Sequence, residues 1–341
     1  WPEHAPRADC KDGRALVLAA RGGHVPAVKL LLEWPLHAPR ASAEAMVQAA
    51  SSCNVEALRL FLEWLEHAPK DDNLRARLLA AAARTGDVQS VKLLLEWPKH
   101  APQADCHDGW ALAAAARGGQ VEMMKLLLEW PRHPPSADCQ DGGALVAAAA
   151  SGNVEAMKLL LQWPEHAPRA DCEDGQALVS AAANGNVEAI KLLLQWPEHA
   201  PHADCQDGQA LVAAAASGNV DVVKLLLQWS KHAPRADSLD GLTQAAAYGS
   251  VGVVKLLLDW PDHAARAENH DWQAVYSAID GGHVDVLREI LGRTEVVEAA
   301  RGEGVDRETL YNDLGDMAMQ TRLQEAVELV DQFFERVDSR V

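Results

Sequence analysis

The chain has 341 residues, of which 48% are hydrophobic but only 5% aromatic, and its Ala and Leu are spread evenly along its length. This distribution favours many thin layers of structure over one central core. The formal net charge of −18 argues against a protein that coats nucleic acid or anionic lipid through its overall field. No run of about 18 apolar residues occurs, so membrane insertion is not expected.

Tryptophan recurs at a nearly constant interval, which predicts a stack of similar units. Nine units begin at residues 1, 34, 64, 97, 130, 163, 196, 229 and 260, and six of the eight intervals are 33 residues. The second unit is shortened where "ASAEAM" replaces the usual segment, and the eighth at its "AAAYGS" corner. Because Trp1 stands in mid-repeat and is not preceded by Met, we expect further repeats before it.

The unit at 196–228 shows what each repeat encodes. Its segment "WPEHAPHADCQDG" predicts an extended loop ending in a turn, and "QALVAAAAS" predicts a short first helix of small residues. Gly218 fits a left-handed helix end, and Asn219 fits the N-cap of a second helix. The apolar face of that helix is predicted at Val220, Val223, Leu226 and Leu227. Helices of about nine residues are marginal alone, so each unit needs its neighbours' surfaces.

These features together resemble the ankyrin repeat. The shared features are the Asp-Gly turn, the Ala-rich first helix, the glycine corner and the "VVKLLL" helix. The resemblance covers about residues 1–292 and implies an all-α solenoid of helix-turn-helix repeats with extended loops. In place of the family's "TPLH" and compact "GADVNA" hairpin stand "QALV" or "GALV" and "WPEHAPRADC", a loop similar to those of green-algal ankyrin arrays. The resemblance also implies a non-catalytic scaffold for protein-protein interaction.

The repeat pattern stops at Arg293. Between Leu323 and Val341 the apolar residues follow alternating spacings of four and three, which predicts one amphipathic helix over about residues 318–340. We expect the segment 293–341 to be a helical cap for the stack or a helix that binds a partner.

Five of the six cysteines occupy one position of the repeat: Cys10, Cys106, Cys139, Cys172 and Cys205. Stacked helices lie about 8–10 Å apart, whereas a disulfide needs Cα atoms within about 7 Å. We therefore expect reduced thiols and an intracellular reducing compartment, either the cytoplasm or an organelle interior.

Potential metal ligands and catalytic groups also recur in every layer. Several loops pair a His with a Cys six residues later, such as His199 and Cys205, whereas a tetrahedral zinc site needs four converging ligands. Paired acids such as Asp204 and Asp207 stand in successive layers, which no single active site requires, so turn and capping roles fit better. No GxSxG, P-loop or HExxH pattern occurs. We predict no catalytic residue, metal, cofactor or small-molecule substrate.

Residues that differ between copies near the Asp-Gly turn are the candidate surface for a protein partner, because shared residues maintain the stack. Trp110 ranks first, since an exposed aromatic side chain is a typical anchor. Neutral drift and, for Trp110, ordinary packing are the alternatives. We call this set the contact strip, and it consists of Lys11, Arg14, His107, Trp110, Gln140, Glu173, Gln176, Gln206, Gln209, Leu239 and Leu242.

A column of cations occupies one position of the second helices: Lys92, Lys125, Lys158, Lys191, Lys224 and Lys255. Most have an acid three or four residues away, a spacing that pairs charges on a helix, so a self-neutralised face is favoured. The alternative function is an architectural subunit of a large protein or ribonucleoprotein assembly that contacts RNA through this column. Nucleic acid is a partner only in that case.

Overall fold

The computed structural model describes residues 10–33, 43–65, 71–97, 101–237, 240–261, 266, 269–302, 305–321 and 323–339. All regular secondary structure in these ranges is helical and forms 21 helices. The chain divides into two compact units, Trp1–Cys172 and Glu173–Val341, which are described in turn. None of the described helices is both long and apolar enough to cross a membrane.

The first unit is a stack of helix pairs. Its helices are α1 (Cys10–Arg21), α2 (Val25–Leu32), α3 (Ala43–Ser51), α4 (Val55–Leu65), α5 (Asp72–Thr85), α6 (Val88–Leu95), α7 (Cys106–Arg117), α8 (Val121–Leu128), α9 (Cys139–Ser151) and α10 (Val154–Leu161). The first helices of successive pairs pack on one another from α1 through α3, α5 and α7 to α9. The second helices form their own layer, with α2 on α4, α4 on α6 and α8 on α10.

The second unit continues the same pattern and then departs from it. Its helices are α11 (Cys172–Ala183), α12 (Val187–Leu194), α13 (Cys205–Ala216), α14 (Val220–Leu227), α15 (Gly241–Ala247), α16 (Val251–Leu258), α17 (Asn269–Asp280), α18 (Val284–Leu291), α19 (Thr294–Arg301), α20 (Arg307–Gln320) and α21 (Gln324–Asp338). The first helices α13, α15 and α17 stack, as do the second helices α12, α14, α16 and α18. Helix α20 then packs on α17, and α21 on α18.

Small side chains let the first helices approach closely, and branched ones fill the space between the two helix layers. In α13 the buried residues are Ala210, Leu211, Ala214 and Ala215, and in α14 they are Val222, Val223, Leu226 and Leu227. The predicted apolar face of α14 is therefore wrong at Val220, which is 37% exposed. Val220 is the first residue of α14, and the buried face follows positions 222, 223, 226 and 227.

The corner between the two helices has the predicted glycine but a different role for the asparagine. Gly218 has a φ of +73°, as a left-handed helix end requires. The side chain of Asn219 does not cap α14. Instead, its Nδ2 donates to the carbonyl oxygens of Ala182 and Ala183 at the end of the previous first helix, at 3.4 Å each. The predicted N-cap position of Asn219 is confirmed, but its side chain makes no capping hydrogen bond and binds carbonyls at the helix end of the preceding repeat instead.

The C-terminal helices extend both layers of the second unit. The long helix predicted over 318–340 begins at Gln324, because α20 occupies the chain up to Gln320. Helix α21 contacts α18, α19 and α20 and buries Val330, Phe333 and Val337. It thus covers the last repeat with an apolar face.

Trp272 connects the ninth repeat to this C-terminal helix. It stands where other repeats have the turn glycine and has a comparable φ of +65°. Its side chain is only 7% exposed and meets the Phe333 ring edge-on, with centroids 6.3 Å apart. An aromatic residue therefore fills the space that the loop of a following repeat would occupy.

Candidate protein-binding surface

The contact strip is built on an unusual turn at the start of the first helices. In α7, His107, Asp108 and Gly109 have φ values of 52°, 53° and 74°, so three consecutive residues are left-handed. The N–H of Gly109 donates to the carbonyl oxygen of Asp105 at 3.0 Å, and the Asp108 carboxylate accepts from the backbone N–H of Gln140 at 2.8 Å. The turn tip is therefore held by contacts within its repeat and to the next one.

The glycine of this turn is required by a cysteine of the following repeat. A Cβ on Gly109 would lie 2.4 Å from Sγ of Cys139, and one on Gly175 would lie 2.6 Å from Sγ of Cys205. Burial, with a smaller contribution from neighbouring carboxylates, raises the pKa of the Cys139 thiol to about 12 and that of Cys205 to about 11. Both thiols remain protonated at neutral pH, which suits packing and not nucleophilic chemistry.

Most members of the contact strip lie on the surface. Arg14, His107, Trp110, Gln140, Glu173, Gln206 and Gln209 are exposed, and Gln176 is half-buried. Leu239 and the side chain of Lys11 lie outside the described residues. The Trp110 side chain is 39% exposed, and its ring lies 5.9 Å from that of His107 at 55°.

Two glutamines of the strip already have a role between repeats. Nε2 of Gln140 donates to the carbonyl oxygen of His107 at 3.0 Å, and Nε2 of Gln206 donates to that of Glu173 at 3.1 Å. These side chains join successive turn tips, so they stabilise the surface on which Trp110 stands. No pattern in the sequence indicates this role, because each partner is a backbone oxygen 33 residues away.

Leu242 does not belong to the surface. It is 6% exposed, and it lies nine residues before the second helix at Val251, as buried Leu211 does before Val220. Only ten residues separate Gly241 from Val251, whereas twelve separate Gly208 from Val220. The residue after the turn glycine therefore falls into the core position in this repeat.

Two further exposed apolar side chains lie on or directly after first helices and are not among the predicted contact residues. Leu18 of α1 is 54% exposed, and Tyr248, immediately after α15, is 66% exposed. Both interrupt series of mainly small or polar residues at their repeat positions, a signal that a column-by-column comparison of the copies could have found. They add apolar area to the exposed side of the first helices.

The cation column is largely neutralised by neighbouring acids. Nζ of Lys125, Lys158 and Lys191 each lies 2.8 Å from a glutamate three residues earlier. Lys255 reaches Glu289 in the next repeat at 3.2 Å. Among the described residues, Lys92 and Lys224 have no ion pair. The column therefore does not present an unbroken row of free cations for phosphates to follow.

Comparison with known protein families agrees with this architecture. A family model of ankyrin repeats matches residues 46–141, 112–209, 144–240 and 211–299, which together span most of the chain. The chain belongs to the ankyrin-repeat family. No protein with a curated description matches it. Among solved structures, the human ASB11 ankyrin repeat domain matches over 57% of this chain and 95% of its own, at 24% identity and a TM-score of 0.42.

Ankyrin-repeat proteins are generally scaffolds without enzymatic activity, and their repeats mediate protein-protein interaction. The family assignment thus agrees with the predicted all-α stack and with protein partners. It does not identify the surface that this chain uses.

Proposed function

We propose that this ankyrin-repeat chain is a non-catalytic scaffold that binds a protein partner through its turn tips and first helices, with Trp110 as the anchor. The proposal rests on the partial exposure of the Trp110 side chain. Aromatic side chains dominate binding energy at protein interfaces, and this one is partly exposed on a turn held by hydrogen bonds.

The chemistry of neighbouring groups supports binding over catalysis. The thiols of Cys106 and Cys139, which flank the same turn, have pKa values raised to about 11 and 12 by burial. They are therefore poor nucleophiles near neutral pH. We also propose a reducing compartment for the chain, because Cys139 and Cys205 each pack singly against a glycine of the preceding repeat.

The experiment is affinity purification with the full chain, followed by a binding titration with the recovered protein. Trp110→Gln introduces the residue that stands at positions 176 and 209 of other repeats, so the fold should tolerate it. An anchor of this kind contributes about 2 kcal/mol or more, and we expect the dissociation constant to rise about 30-fold. Leu30→Gln is the matched control, because it removes an apolar side chain that is 60% exposed on a second helix and outside the contact strip.

The melting temperature of each variant shows whether folding is preserved. Unchanged affinity in the folded Trp110→Gln variant would remove Trp110 as the anchor. The architectural alternative would be supported if the chain and both variants were recovered with a large RNA-containing particle and dissociated from it only at high salt.

A further inference from the structure

Two neighbouring loops of the second unit bring three potential metal ligands together. The imidazole rings of His202 and His232 are stacked, with centroids 4.0 Å apart and planes within 1°. Nδ1 of His202 lies 4.0 Å from Oδ1 of Asp204. One ligand atom from each of these three exposed residues lies within 4.8 Å of the others.

The loop backbone explains why His202 and Asp204 face the same way. Pro201 and Ala203 are buried, so the alternating residues His202 and Asp204 both extend outward. His232 belongs to the next repeat, has a left-handed φ of +51°, and stacks its ring on that of His202. These features place the three side chains on one side of two adjacent layers.

The combination occurs in this layer because of one sequence difference. In the flanking loops the residue equivalent to His202 is an arginine that pairs with the equivalent aspartate. Arg169 makes two 2.8 Å hydrogen bonds to Asp171, and Arg235 makes two to Asp237. His202 cannot make the two parallel hydrogen bonds to its aspartate that an arginine guanidinium makes in the flanking loops. The Asp204 carboxylate therefore lies beside the two imidazoles without such a bidentate partner.

We propose that His202, Asp204 and His232 bind one divalent transition-metal ion of the zinc, copper or nickel type. Imidazole nitrogen and carboxylate oxygen are ligands these ions accept, and two His with one carboxylate leave positions for water or another ligand. Bonds of about 2.0–2.1 Å in a tetrahedral site separate ligand atoms by about 3.4 Å. In the stacked arrangement the two ring planes are parallel, so the in-plane lone pairs of the two imidazoles do not meet at one point. Metal binding therefore requires both rings to rotate out of the stack, and the exposure of all three side chains leaves room for that rotation.

The surroundings leave the ion accessible. His202 and His232 line an open groove of about 1010 Å³, together with Trp196 and Trp229 from the two loops. A ligand supplied from this groove could complete the coordination shell. Because the three residues come from two repeats, a bound ion would also tie the seventh and eighth repeats together.

The test is calorimetric titration of the full, tag-free chain with ZnCl₂ in a non-coordinating buffer. We expect one ion per chain at this site and a higher melting temperature with zinc, because binding to the folded state stabilises it. Titration with Co²⁺ reports the ligand type, since thiolate ligands add a charge-transfer band that nitrogen and oxygen ligands do not.

Three variants locate the site. His202→Arg restores the residue of the flanking loops, and His232→Asn keeps a side chain that tolerates a left-handed backbone. We expect each to weaken zinc binding at least about tenfold. His166→Asn is the matched control, because His166 has the same loop position and a φ of +51° in another repeat.

Zinc binding unchanged in both His202→Arg and His232→Asn would overturn the proposal, as would a cobalt spectrum with a thiolate band. Loss of binding in His166→Asn to the same extent would also overturn it, because the effect would then not be specific to this pair of loops. None of these three results would bear on Trp110 or on partner binding.

Discussion

Replacing Gly109 with alanine should destabilise the protein more than the same change at Gly23. Both glycines are left-handed, with φ of +74° and +71°. At Gly109 the new Cβ would lie 2.4 Å from Sγ and 3.0 Å from Cβ of Cys139. The first distance is shorter than the contacts that Cβ atoms make in proteins, so the Cys139 side chain would have to move. At Gly23 the nearest such contact is Nδ2 of Asn54, at 3.3 Å. The pair separates backbone conformation from packing between repeats.

The expected sizes follow from these two contributions. A left-handed backbone costs alanine about 1–2 kcal/mol at either position. Displacing a packed side chain adds about 1–3 kcal/mol at Gly109. We therefore expect the free energy of unfolding to fall by about 1–2 kcal/mol for Gly23→Ala and by about 2–5 kcal/mol for Gly109→Ala. Urea unfolding followed by circular dichroism measures both.

A double variant tests whether the Cys139 thiol is responsible. In Gly109→Ala/Cys139→Ala the Sγ contact is gone, so the combined loss should be smaller than the sum of the single losses by at least about 0.5 kcal/mol. Equal losses for the two glycine variants, or simple additivity with Cys139→Ala, would refute the proposed packing between turn glycine and cysteine.

Two further predictions concern burial. Phe333→Ala should lower the free energy of unfolding by about 3–5 kcal/mol and shift the fluorescence of Trp272 to the red, because the ring covering that indole is lost; an unchanged stability would contradict the packing of α21. Since the pKa of Cys139 is raised to about 12, the folded state retains a proton that the unfolded state releases from about pH 9 upward. Stability should therefore fall as pH rises above about 9, and less so in Cys139→Ala; a pH dependence unaffected by this substitution would refute the assignment.

The regular part of the fold could be predicted from the sequence because it depends on local patterns. Small residues after the turn, a glycine at the corner and a Leu-rich segment each act within their own repeat. The role of Asn219 could not be predicted this way, because its partners are the backbone oxygens of Ala182 and Ala183 in the preceding repeat. The same holds for Trp272, whose environment is set by a helix some sixty residues later.

The candidate surface was predictable only where a residue departs from a correctly aligned series. Trp110 stands out among small and polar equivalents, and it is indeed exposed. The prediction that Leu242 is exposed counts residues from the turn glycine, whereas the residues that face the core are set by their distance from the corner before the second helix. When a first helix is shorter than in the other repeats, its residues can be aligned either from the turn glycine or from the corner glycine. The sequence is consistent with both alignments, and only the packing shows which one is correct.

Variation among repeats has chemical meaning only when each residue is set beside its neighbour in the next layer. Gln140 differs from His107 and yet bonds to its backbone, so variation there maintains the stack. His202, by contrast, replaces an arginine of the flanking loops and thereby changes what its aspartate faces. Its significance appears beside His232, thirty residues along the chain and 4.0 Å away in space. In a stack of this kind, a distinctive site is made by pairs of positions one repeat apart.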